Sequence, residues 1–280
     1  MKRLLTLALS LLALNSVGQK NPTDQAKPIV AEGKLLYKME MASWHGTDLF
    51  IENYKDLENI GGYFSYLERD IPKCIFFSRS EVPKVIGTIT FDDTYNTKTA
   101  KIDLTNRDFT TYELDIFTIR KKALNEINSD TLFKFYKNTK LNLIPLVNKK
   151  ERKVYVLTGP ENHGVVIFGN DYLLTFDRNN ELVQKKQLHK NIIPIQYNNV
   201  TEPGEEIEGA VHSHLPETGD FMTATDICTL MLYSKFAKWK THNVISQNYL
   251  NIWNCLTEQL TVITRDAFDK INKDQEKSKP

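Results

Sequence analysis

The stretch from Gly209 to Leu232, GAVHSHLPETGDFMTATDICTLML, limits what this chain can fold into more than any other part of it. It reads as a short buried strand, a tight polar loop and the opening of an amphipathic helix. His212 and His214 are two positions apart, and on a strand such side chains leave the same face, so the two imidazoles stand together at the strand end. Thr223 and Asp226 open the helix, where the carboxylate can turn back toward the histidines. Two neutral imidazoles, one carboxylate and an open fourth position are the donor set of a catalytic zinc site. The same residues also have a plainer chemistry. Thr-x-x-Asp is a capping box that closes free amides at a helix N-terminus, and a His-x-His pair can be two partly buried, hydrogen-bonded histidines.

The order His-x-His, short loop, Thr-x-x-Asp resembles the JAMM (MPN-type, Mov34-like) metalloprotease family. The resemblance implies that His212, His214 and Asp226 bind Zn2+ and that Thr223 stands where the family's serine supports the tetrahedral intermediate. It also implies an upstream glutamate as general base, lying just before a strand of the type Glu-x-x-Gly-Leu-Leu. Glu161-Asn-His-Gly164-Val-Val fits that pattern, so Glu161 is the expected base, with Glu217 of the site loop as a second candidate. The segment Leu215 to Met222 is one residue longer than the family's usual spacing. In architecture the resemblance covers residues 150–265. It implies a zinc-dependent peptidase or isopeptidase acting on a peptide or protein substrate, with a bacterial envelope as one expected source of that substrate. The alternative is a non-catalytic envelope binding or scaffold protein that kept the fold.

Composition narrows the partners. A formal charge of +1 over 280 residues offers no field for nucleic acid or an anionic membrane, and no basic run is interleaved with aromatics. At 41% apolar residues the chain can build a sizeable core. Lys2 and Arg3, the apolar run Leu4 to Leu14 and the small residues of Ser16-Val-Gly18 read as a cleavable signal peptide over 1–18. That run is too short to span a bilayer, so a secreted or periplasmic protein without a transmembrane segment in its mature form is expected. Cys74, Cys228 and Cys255 permit at most one intrachain disulfide, with Cys228–Cys255 open as a pair. His45 is a lone histidine with a packing or hydrogen-bonding role expected. His189, from the end of a strand, and His163, from the loop of Glu161, can each approach the metal, but as isolated histidines both are expected to be surface or hydrogen-bonded residues. His242 is expected to meet the end of the site helix.

The expected fold is α+β. After the signal peptide comes a mixed α/β region over 30–140, then a JAMM-like mixed sheet with flanking helices over 150–265 and a frayed tail over 272–280. Residues 20–33 read as a polar leader. A helix follows from Lys34 to about Tyr54, broken over Ser43 to Asp48 because Gly46 punctuates it. Tyr63–Tyr66, Cys74–Phe77 and Val85–Phe91 form a meander. A helix from Asp108 or Thr110 to Ile127 packs through Phe109, Leu114, Phe117, Ala123, Leu124 and Ile127, with Arg120, Lys121 and Lys122 solvated. Val165–Phe168 and Tyr172–Phe176 are expected to be a hairpin, and the site helix to run from Thr223 to about Lys240.

Overall fold

A computed structural model describes residues 21–197 and 207–277. The leader expected over 1–18 and most of the polar loop before Gly209 lie outside the described residues. The fold is mixed α+β. Helix α1 (Pro22–Asn53) is followed by strands β1 (Ile60–Glu68), β2 (Ile71–Ser78), β3 (Val85–Thr90) and β4 (Lys101–Asp103), and then by helix α2 (Thr111–Ser129). Next come β5 (Thr139–Val147), β6 (Arg152–Pro160), β7 (Val165–Gly169), β8 (Tyr172–Phe176), β9 (Leu182–Gln187) and β10 (Ile192–Gln196). The last part holds β11 (Gly209–Ser213), α3 (Ala224–Tyr233), β12 (Thr241–Ile245), β13 (Tyr249–Asn254), β14 (Gln259–Thr264) and α4 (Arg265–Lys277). Helix α4 continues through positions where a frayed tail was expected.

Helix α1 is one unbroken rod of 32 residues, roughly 48 Å long at 1.5 Å per residue. Asn21 caps it by accepting from the Thr23 amide, and Pro22 occupies the first turn, where its missing N–H costs nothing. The polar segment 20–33 is thus part of the helix, and Gly46 does not end it. Gly46 and Gly33 are points of close approach: a Cβ at Gly46 would stand 2.7 Å from Cys74 Cβ, and one at Gly33 2.7 Å from Ile227 Cβ. The helix therefore lies against β2 at one end and α3 at the other. Near its start, the Val262 amide of β14 donates to Thr23 Oγ1 at 2.9 Å.

Among the described residues the strands form three four-stranded sheets and one strand pair. β1–β4 form an antiparallel meander in sequence order, as expected; β5-β6-β8-β9 is a second antiparallel sheet; and β11-β12-β13-β14 is mixed, with β11 parallel to β12. β7 and β8 are not a hairpin. Gly169 and Asn170 take positive φ and divert the chain, so β7 pairs with β10 while β8 joins β6 and β9. Asn170 is fixed in that turn by its amide to Lys134 O and Thr158 Oγ1 and by the Tyr172 hydroxyl.

Helix α2 packs inward through Ala123 and Ile127, and Phe109 and Phe117 join a neighbouring cluster, all as expected, but its leucines do not pack. Glu113, Ile116, Ile119, Ala123 and Ile127 are buried, while Leu114 and Leu124 are exposed. The cause is Glu113. It closes a capping box with Thr110, takes both guanidinium nitrogens of Arg107 at 2.7 and 2.8 Å, and accepts from the Tyr66 hydroxyl. Arg120 is not on a solvated face but lies 5.9 Å from the Tyr63 ring centroid. Helix α3 is shorter than expected, ending at Tyr233. All three cysteines are free and buried.

Candidate metal centre

His212 lies in β11 opposite Val244 of β12, and the His214 amide donates to Ile245 O at 2.9 Å just beyond the strand. The parallel ladder thus holds both histidines on one side at the end of a sheet. Asp226 sits in the first turn of α3, where the two readings of Thr-x-x-Asp coincide. Its amide donates to Thr223 Oγ1 at 3.1 Å, and its Oδ2 accepts the Thr223 amide at 2.8 Å. The cap fixes the carboxylate and leaves Oδ1 pointing at the histidines.

A fourth side chain joins them. His189, in the turn between β9 and β10, brings its Nε2 to 3.3 Å from His214 Nε2 and 3.4 Å from Asp226 Oδ1. His212 Nε2 stands 3.7 Å from Asp226 Oδ1, and His214 Nε2 is 3.1 Å from Oδ2. One donor atom from each of the four residues lies within 4.8 Å of every other. A tetrahedral ion with bonds of about 2.0–2.2 Å holds its ligand atoms roughly 3.3–3.6 Å apart, so the spacing fits. All four residues are buried, and His212 Nε2 and Asp226 Oδ1 have no hydrogen-bond partner. Burying such atoms unpaired is costly, and a cation between them removes the cost.

Behind the donors stands a supporting layer. His212 Nδ1 is 2.9 Å from His242 Nε2. A proton on His212 Nδ1, shared with His242, leaves the His212 Nε2 lone pair free for a metal. Burial lowers both rings, His212 to about 4 and His242 to about 3, so both are neutral at pH 7. On the other side, His189 Nδ1 approaches Asp171 Oδ2 at 3.5 Å, while Asp171 Oδ1 accepts the Thr158 amide. That is a carboxylate–histidine arrangement of the kind that orients metal ligands. Burial alone would lower His189, but Asp226 and Asp171 override it and raise it to about 10. Burial would likewise raise Asp226, yet His189 and His214 hold its carboxyl well below the usual range. Without a metal, Asp226 and Asp171 on either side of His189 favour its protonated ring, and a metal takes the place of that proton.

Thr223 is placed by the helix cap, its hydroxyl shared with the Asp226 amide and with Thr225 Oγ1 at 2.9 Å. Glu161 is not part of the centre. It is exposed on the turn before β7, its amide bonded to Asn138 O. The centre flanks the other end of that strand, where His189 Cβ lies 3.4 Å from the position of a Gly169 Cβ. Five residues of β7 separate the two ends, about 13 Å. His189 and His242 are the functional candidates that sequence reasoning assigned elsewhere. Neither has a spacing relation to His-x-His, and only the folded strands bring them to it.

A groove of about 380 Å3 opens at the centre, lined among others by His189, Ile192, Val211, His212 and Leu215. β11 pairs only with β12 among the described strands, so its other edge faces this groove. Comparison with family models, curated proteins and solved structures finds no match to this chain. The site's chemistry therefore has to be argued from its own atoms.

Proposed function

We propose that the protein is a zinc-dependent hydrolase of peptide or isopeptide bonds, of the JAMM type and acting outside the cytoplasm. The observation that carries this reading is the convergence of buried donor atoms of His212, His214 and Asp226, within 4.8 Å of one another, beside an open groove. Bound zinc supplies Lewis-acid polarisation of a carbonyl and a lowered pKa for water. The chain's own contributions are orientation and access. His242 and the capping box hold two ligands rigidly, Phe168 walls the site 4.9 Å from the His212 ring, and the free β11 edge can align an extended substrate segment.

Glu217, on the site loop, pairs with Lys190 Nζ at 3.9 Å and remains the second candidate for the general base. Incubating the zinc-loaded mature chain with mixed peptide and isopeptide substrates should give cleavage that H212A abolishes. Cleavage that persists undiminished in H212A would refute the reading.

One observation favours the alternative, a non-catalytic envelope binding or scaffold protein. His189 completes a four-donor set, and closed sets are characteristic of structural zinc. Under that alternative, zinc raises the melting temperature and no substrate is cleaved.

A further inference from the structure

We infer that His189 is an exchangeable ligand that occupies the fourth position in the resting protein and yields it to an oxygen or anionic donor arriving through the groove. The inference rests on the metal reading above. The four donors are not equivalent in how they are held. His212, His214 and Asp226 belong to one unit, β11 and the first turn of α3, and each is tied a second time. His212 is tied through His242 at 2.9 Å, His214 through its amide to Ile245 O, and Asp226 through the capping box.

His189 reaches in from a different part of the fold. Its turn joins β9, which pairs with β8, to β10, which pairs with β7, so no strand ladder runs across it. The turn is pinned at its edges, by Leu188 N to Asp171 O and Asn170 N to Asn191 O. His189 lies between those pins. Its Nδ1, like that of His214, has no hydrogen-bond partner, and Asp171 approaches it at 3.5 Å, so what sets His189 apart is its place on a turn that no ladder crosses.

The groove touches His189 and His212 among the four donors and not His214 or Asp226. A donor entering there meets the loosely held ligand first. Lys190, the next residue, reaches the site loop through an ion pair with Glu217 at 3.9 Å, both side chains more than half exposed. It straps the turn down, and such exposed pairs are weak. Exchange breaks one nitrogen–metal bond and forms one to the incoming donor, with no change in oxidation state. The displaced imidazole stays beside Asp171.

The test uses the full mature chain loaded with Co2+, whose visible absorption reports coordination, titrated with azide. Wild type should bind one equivalent of Co2+ and respond to azide weakly. H189A and H189Q should keep the metal and respond at azide concentrations at least about tenfold lower, since the fourth position is then vacant. K190A, which only cuts the strap, should lower the azide concentration by up to about fivefold. Loss of Co2+ from both His189 variants, with far-ultraviolet circular dichroism unchanged, would make His189 an indispensable structural ligand and overturn the inference. Equal azide responses in wild type and the His189 variants would also overturn it, because His189 would then not be a ligand. Failure of wild type to bind Co2+ at all would instead refute the metal reading beneath it.

Discussion

Asp226 divides two tasks between its two oxygens. Oδ2 accepts the Thr223 amide, closing the helix cap, and also meets His214 Nε2 at 3.1 Å, while Oδ1 faces His189 and His212 without a hydrogen-bond partner. Asp226→Asn keeps an acceptor for the cap but removes the anionic donor. Zinc affinity, read by competition with a chromophoric chelator, should therefore fall by at least about 100-fold while the helix content is kept. His242 touches His212 and not the metal position. His242→Phe should preserve packing against the stacked Phe168 ring yet weaken zinc by about 10–100-fold, as loss of an orienting partner does. At this scale the sequence was legible where spacing encodes geometry. His-x-His and Thr-x-x-Asp place three donors because strand and helix periods fix their directions. His189, 25 positions from His214, has no period linking it to the motif. Glu161 matched a short pattern, but it precedes the start of β7, and the centre flanks that strand's far end at Gly169.

Elements were readable where their signal is local, as in the β1–β3 meander, and misread where a distant partner decides. Gly46 looks like a helix breaker until Cys74 is seen against it. Val165–Phe168 and Tyr172–Phe176 look like a hairpin until Asn170 is seen bonded to Lys134 and Thr158. Gly33 makes the point testable. A valine there would drive its Cβ to within 2.7 Å of Ile227 Cβ and 2.8 Å of Ala224 O, at the start of the helix that carries Asp226. Gly33→Val should cost about 1–3 kcal/mol in urea unfolding of the metal-free protein and weaken zinc binding as well. Unchanged stability would mean α1 and α3 are not packed this closely.

For the whole molecule, α1 is the member that ties the meander of β1–β4 to the sheet bearing the site, and one of its side chains makes that role pH-dependent. Glu40, half-buried, accepts from Asn142 Nδ2 of β5 at 3.3 Å. Burial raises its carboxyl from 4.5 to about 7, against the pull of Lys140 and Asn142. The native state therefore holds this proton more tightly than the unfolded chain. Its contribution is fully present below about pH 4.5, is lost as pH rises toward 7, and stays level above. Glu40→Gln should be more stable than wild type by about 1–3 kcal/mol at pH 8 and no more stable at pH 4. A pH-independent difference between the two would contradict the assignment.

The central claim is that four buried side chains from separate elements form one zinc-class centre. Its most direct test is elemental analysis of the purified protein after zinc loading and desalting, beside H212A. The account predicts close to one zinc per chain in wild type and its loss in the variant. Wild type that holds no metal after zinc addition would contradict it, and His189, His212, His214 and Asp226 would then be a buried ion-pair network that fixes α3 against its sheet.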